Sequence, residues 1–153
     1  MIITADQIKK LREKTGVGIM DCRKALEESK GDQKKAEELL QSWGIEKAGK
    51  KEGRETKQGV VSSYIHANGT VGALVELYCE TDFVARTEDF NNLAHEICMQ
   101  VAAMNPESIS ELEKQPYIRD NKLTVSELVK KTIAKLGENI KIGRIARFDI
   151  KEK

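Results

Sequence analysis

The chain has 153 residues, 39% of them hydrophobic and 33% charged, enough for one domain of ordinary size plus a small appendage, with a real core and a heavily solvated surface. A net charge of +1 supplies no global field for nucleic acid or an anionic membrane, leaving only local patches, and no apolar run approaches the roughly 20 residues of a membrane span. The start, Met1-Ile2-Ile3-Thr4-Ala5-Asp6, has no basic stretch leading into a long apolar segment, so a cytoplasmic location is expected.

Thr4-Ala5-Asp6-Gln7 matches a capping box and opens a first helix through Ile8, Leu11 and Arg12, which Thr15-Gly16-Val17-Gly18 breaks. A second helix is expected from Gly18 or Ile19, with Cys22, Ala25 and Leu26 on one face and a glycine cap at Lys30-Gly31. Asp32 then caps a third, whose stripe of Ala36, Leu39, Leu40 and Trp43 is expected to stop at Gly44. Three short helices cannot each hide a face alone. Residues 1–44 should therefore form a compact bundle, better suited to recognition than to housing a deep pocket. Residues 45–59 are polar, glycine-punctuated and rich in both charge signs, which reads as a linker or a solvated helix.

Residues 60–153 are expected to form an α+β core. Val60–His66 and Val71–Cys79 are β-rich, and Asn68-Gly69 between them signals a type I′ hairpin. Val71, Ala73, Val75, Leu77 and Cys79 share one face of the second strand, expected inward. The strand runs into Glu80-Thr81-Asp82-Phe83-Val84-Ala85-Arg86, a short corner before a helix that Thr87 caps. Two placements are open for Phe83: folded back onto the core, or exposed as an anchor for a partner. Phe90, Leu93, Ala94, Ile97, Val101 and Met104 then repeat at helical spacing until Asn105-Pro106, giving a helix to cover the hairpin. Glu107 to Lys122 is irregular and polar, and is expected as a loop or short extended segment. Thr124-Val125-Ser126-Glu127 is a second capping box, heading a helix closed by Gly137. In the last stretch Ile140, Ile142, Ala146, Phe148 and Ile150 alternate with Lys141, Gly143, Arg147 and Asp149, with Arg144 out of phase, as in a half-buried third strand.

Catalytic chemistry finds no foothold. His66 and His95 lie in no metal or nucleophile motif, and His95 with Cys98 gives two ligands where a structural zinc site takes four. Gly16-Val17-Gly18 lacks the third glycine and preceding strand of a dinucleotide loop. No acid and base pair stands out, so no catalytic residue, metal or cofactor is expected, and a binding module is favoured over an enzyme. Cys22, Cys79 and Cys98, odd in number and far apart, suit reduced thiols in or near the core.

Two stretches, Leu11 to Leu26 (LREKTGVGIMDCRKAL) and Glu76 to Arg86 (ELYCETDFVAR), together resemble elongation factor Ts, and the turn Lys135-Leu136-Gly137-Glu138-Asn139-Ile140 is similar to that family too. The resemblance implies a ubiquitin-associated-like three-helix bundle joined to a three-stranded antiparallel sheet covered by helices. It implies guanine nucleotide exchange on the GTPase elongation factor Tu: the bundle docks through Arg12, Ile19 and Met20, while Asp82 and Phe83, flanked by Thr81 and Val84, press near the magnesium and phosphate site, with Leu136 and Gly137 also at the partner surface. It implies a homodimer through the core, no direct nucleic-acid contact and no membrane. Arg23 replaces the family's usual lysine, Tyr78 its usual asparagine, and the 107–122 region is shorter than in the family's short forms. Two other functions stay in view: a GTPase-binding protein without exchange activity, and an adaptor working through the helical bundle alone.

Overall fold

The computed structural model describes residues 2–152; Met1 and Lys153, the outermost positions of the expected bundle and core, lie outside them. Three helices come first, α1 (Ala5–Thr15), α2 (Ile19–Glu28) and α3 (Gln33–Gly49). Their ends follow the local chemistry of the sequence. Thr4 and Gln7 form the expected capping box, Asp32 accepts from the Lys35 amide, and Gly16 and Gly31 take φ of 71° and 83° where a side chain is strained. Leu11, Cys22, Ala25, Leu26, Ala36 and Leu40 form a small separate core, edged by Ile8, Leu39 and Trp43.

One expectation about α3 fails. The helix does not stop at Gly44 but runs on to Gly49, and its Ala48 is buried in the second, larger core. Gly44 is there for close approach: a Cβ on it would lie 3.0 Å from the Ala134 Cβ, where α3 packs against the last helix.

That larger core is built on an antiparallel sheet in the order β1 (Gln58–Ile65), β2 (Val71–Cys79), β5 (Lys141–Asp149). Between β2 and β5 come α4 (Asp82–Ala85), α5 (Glu88–Met104), α6 (Ile109–Lys114), a small hairpin of β3 (Pro116–Tyr117) and β4 (Asp120–Thr124), and α7 (Val125–Leu136). The fold is α+β. Ala73, Val75, Leu77 and Cys79 point inward as their alternation required, against Phe90, Leu93, Ala94, Ile97 and Val101 of α5. Met104, expected on the same stripe, is exposed at the end of the helix.

The β1–β2 turn is not type I′. Only Gly69 has positive φ, at 72°, whereas a type I′ turn needs it at both central residues. Asn68 instead uses its side chain, Oδ1 accepting from the Thr70 amide at 3.2 Å and hydroxyl at 2.7 Å, as in an Asx turn.

The third strand holds a larger correction. Val75 pairs with Ile145 and Leu77 with Ile142, so Gly143 and Arg144 together oppose Glu76 in a β-bulge. The extra residue reverses the phase of everything after it. Ile142 faces the core, but beyond the bulge Ile145, Arg147 and Asp149 turn inward, while Ala146, Phe148 and the following Ile150 face solvent. The Arg147 guanidinium, 13% exposed, donates from Nε to the Ala102 carbonyl near the end of α5 at 3.0 Å and pairs with Asp149 and Glu152. The bulge is clamped by Glu76, whose carboxylate accepts from the Arg144 amide (2.9 Å), Nε (2.6 Å) and a terminal nitrogen (3.1 Å).

The 107–122 region is extended in part, in the β3–β4 hairpin, as one of its two readings had it, but it opens with a helix that neither reading included. Ser108 caps α6, accepting from the Glu111 amide at 3.1 Å, and the β3–β4 hairpin is tied down by buried Gln100, which donates to the Pro116 carbonyl and accepts from the Ile118 amide.

The Glu76 clamp has a pH signature. Hydrogen bonds from the Arg144 side chain and backbone, opposed by partial burial, hold the Glu76 carboxyl down to about 2 from an ordinary 4.5. The unfolded chain therefore takes up a proton near pH 4.5 that the folded one refuses, so this stabilisation is complete above that value and disappears as pH falls toward about 2. Glu76→Gln is expected to flatten that limb of a plot of unfolding midpoint against pH; parallel wild-type and variant curves mean the clamp contributes nothing.

Candidate functional site

The corner after β2 is a capped helical turn. Thr81 has extended φ and ψ (−124°, 156°), its hydroxyl accepts from the Val84 amide at 3.4 Å, and its carbonyl accepts from the Ala85 amide at 3.3 Å. Thr87 then caps α5, accepting from the Phe90 amide at 3.3 Å while donating to the Val84 carbonyl at 2.7 Å. Two caps within seven residues leave the segment little freedom. Asp82 and Phe83 project from it, and Phe83 is 80% exposed. The open question about this ring is settled by α4: its one turn buries Val84 (8% exposed) and Ala85 in the core and turns Asp82 and Phe83 outward. The Asp82 carboxylate is paired with Arg86 one turn on, in the solvent-exposed way that contributes at most about 1 kcal/mol.

Behind the turn stands the loop between α7 and β5. Gly137 ends α7 with φ of 78°, its amide donating to the Ile133 carbonyl, and the next two residues reach back to the corner. The Glu138 carboxylate accepts from the Thr81 amide at 2.9 Å and the Thr81 hydroxyl at 2.7 Å. In return the Glu80 carboxylate accepts from the Asn139 amide at 3.1 Å. Asn139, buried, donates its side-chain amide to the carbonyls of Glu52 (3.2 Å) and Arg54 (2.7 Å), and the Arg54 guanidinium pairs with Glu80 at 3.2 Å. The Cys79 thiol lies just beneath, donating to the Thr81 carbonyl at 3.1 Å; burial first, and then the Glu138 charge, push its pKa up to about 11. All three cysteines are free, buried and raised in pKa. Cys98 donates to the Ser62 carbonyl and His95 packs edge-on against Tyr64, so each is engaged apart from the other.

The other residues singled out from sequence lie on two further elements. Ile19 and Met20, at the start of α2, are 53% and 75% exposed, and Arg12 is exposed on α1. Leu136 is half-buried against the core, while Gly137 is exposed at the end of α7, next to the loop that holds the corner. Lys135 connects the two regions. Its ammonium pairs with Asp89 in the first turn of α5 at 3.2 Å, and its stem passes 3.9 Å from where a Cβ on Gly16 would sit. A cleft of about 550 Å³ lies between the α1–α2 turn and α7, lined among others by Gly16, Gly18, Trp43 and Lys131.

Sequence reasoning did not find the anchoring roles of Glu138, Asn139 and Glu80, whose hydrogen bonds to one another's loops and to the segment after α3 span 57 to 87 residues of chain. The α4 turn did leave a signal, threonine followed by aspartate as at a helix start, but four residues are too few for any periodicity.

The family model described as Elongation factor TS matches residues 80–153, beginning at the corner. Curated relatives match nearly the whole chain. The elongation factor Ts of Rippkaea orientalis is 43% identical over 98% of this chain and 79% of its own length; that of a Thermoanaerobacter species is 42% identical over 97% and 95%. The elongation factor Ts of Thermotoga neapolitana is 40% identical over 99% of both chains. These alignments run over 193 to 196 positions, more than the 153 residues here, so the relatives have segments that this chain lacks. The chain belongs to the elongation factor Ts family of translation elongation factors.

Proposed function

We propose that this protein promotes GDP release from elongation factor Tu by contact alone, with the Asp82-Phe83 turn inserted near the GTPase's magnesium and phosphate site. The observation that carries it is the exposed Phe83 ring on a hydrogen-bonded turn, inside a chain of the elongation factor Ts family. In this scheme the 1–44 bundle docks on the GTPase through Arg12, Ile19 and Met20, all solvent-exposed, residues 45–59, which hold the end of α3 and the entry to β1, join it to the core, and residues 60–153 present the turn. Thr81, with its hydroxyl engaged, and Val84, packed inward, serve the turn's shape, while Gly137 and the rim of Leu136 lie at the edge of the contact. The work is done in the cytoplasm, where translation takes place. No catalytic group is needed. A factor that binds the empty GTPase more tightly than the GDP form weakens GDP by that same ratio.

Burying a phenylalanine side chain contributes roughly 1.5–3 kcal/mol, which corresponds to about ten- to a hundredfold in an equilibrium. Phe83→Ala is expected to slow stimulated release of labelled GDP on that scale in stopped flow, with the unfolding midpoint unchanged. An unaltered release rate removes the anchor. Tight binding of the wild-type protein without faster release identifies a GTPase-binding protein that does not exchange.

The same family reading includes a homodimer through the core, and the outer face of the sheet supports it. Val61, Ile65, Leu74, Phe148 and Ile150 are exposed there, with Ile65, Gly72 and Phe148 in one row across the three strands. An exposed apolar face of this kind suits a second copy packed sheet to sheet. Sedimentation at micromolar concentration is expected to give twice the chain mass, and Phe148→Glu to give the single mass. A wild-type monomer under those conditions rules the dimer out.

A further inference from the structure

Phe83 receives almost nothing from its own fold. Its direction is therefore set by the backbone of α4, and that backbone is fixed at its N-terminal end by Thr81. Thr81 in turn is held from outside the turn. Its amide and its hydroxyl both donate to one carboxylate, that of Glu138, at 2.9 Å and 2.7 Å, while the same hydroxyl oxygen accepts from the Val84 amide. Glu138 is placed by the left-handed Gly137 before it and by buried Asn139 after it, which grips two carbonyls of the 45–59 stretch. The carboxylate thus serves as the second half of a cap whose first half is a hydroxyl.

We infer that Glu138 is a positioning residue for nucleotide exchange: acting through Thr81, it holds the α4 turn in the one orientation that projects Phe83. This rests on the exchange function proposed above. Charge-assisted hydrogen bonds of this kind are about twice as strong as neutral ones, and both donors here are half-buried, so removing the carboxylate leaves two groups unpartnered. The consequence is a loosened turn and a misaimed ring, which affects the rate at full occupancy more than the affinity.

The test is a two-by-two comparison of wild type, Glu138→Ala, Phe83→Ala and the double variant, reading GDP release from elongation factor Tu across factor concentrations. Glu138→Ala is expected to lower the maximal release rate about tenfold, with a smaller change in the half-saturating concentration. In the Phe83→Ala background the same change is expected to cost less, about two- to threefold, because only Asp82 is then left to aim. Glu138→Gln, which still accepts from the Thr81 amide and whose own amide donates to the hydroxyl, is expected to recover most of the rate. If Glu138→Ala does not fold, Glu138→Asp, with the charge drawn back by one methylene, takes its place with the same expectations. A full rate in the single Glu138 variant overturns the positioning role, as does an equal loss with and without Phe83. If Phe83→Ala is itself at full rate, the tip function fails, and the positioning role fails with it.

Discussion

Two carboxylates exchanged between loops tie this molecule together where β2 ends. Glu80 accepts from the backbone of Asn139, and Glu138 accepts from the backbone of Thr81, so each loop caps amides that the other leaves without a partner. The Asn139 side chain then draws in the Glu52 and Arg54 carbonyls, and the Arg54 side chain closes back on Glu80. The segment that follows α3, the end of the central strand and the start of β5 are thereby fixed to one another. Orphaned buried amides cost about 1–3 kcal/mol each, so the arrangement holds together as a set. Everything presented to solvent at this corner inherits its direction from that set.

What could be read from the sequence is what local chemistry determines. Thr4, Asp32, Thr87 and Thr124 all cap the helices they were expected to cap, since a cap needs only a hydroxyl or carboxylate and the next three residues. The inward face of β2 was legible for the same reason, as alternation is a property of one strand. What was not legible depends on two segments at once. The bulge opposite Glu76 is invisible in β5 alone except as an out-of-phase arginine, and missing it sends Phe148 and Ile150 to the wrong face. Gly44 reads as a helix stop unless the approach of Ala134 is known. Ser108-Ile109-Ser110-Glu111 did offer capping letters for α6, but six residues in a polar stretch gave them no apolar run to support.

The same distinction runs through the site. That Phe83 stood in a corner beside an acid was evident in the sequence; whether it faced in or out was decided by the single turn of α4, which needs Thr81 capped from a loop 57 residues later. The bulge acts similarly on the opposite side of the sheet. By reversing the phase of β5 it puts Arg147 inside, where it serves the α5 carbonyl of Ala102, and turns Phe148 out next to Ile65 and Leu74. One inserted residue thus converts a strand with a single apolar face into one that contributes to a core at one end and to an exposed apolar face at the other.

Exposure and rigidity together decide what an aromatic side chain can give a partner. A ring already packed on its own core must be released before it can bind, and the gain of burying it elsewhere is largely cancelled. A ring that is free but mobile loses about 0.5–1.5 kcal/mol of side-chain and loop freedom on docking, a sizeable share of the roughly 1.5–3 kcal/mol its burial supplies. Phe83 avoids the first loss and confines the second to its own side-chain rotamers, being out of its own core yet mounted on a backbone held by caps at Thr81 and Thr87 and by the Glu138 carboxylate. Its contact energy is therefore available to distinguish one state of a partner from another, and a bound protein shifts an equilibrium only by as much as its interaction free energy differs between the two states.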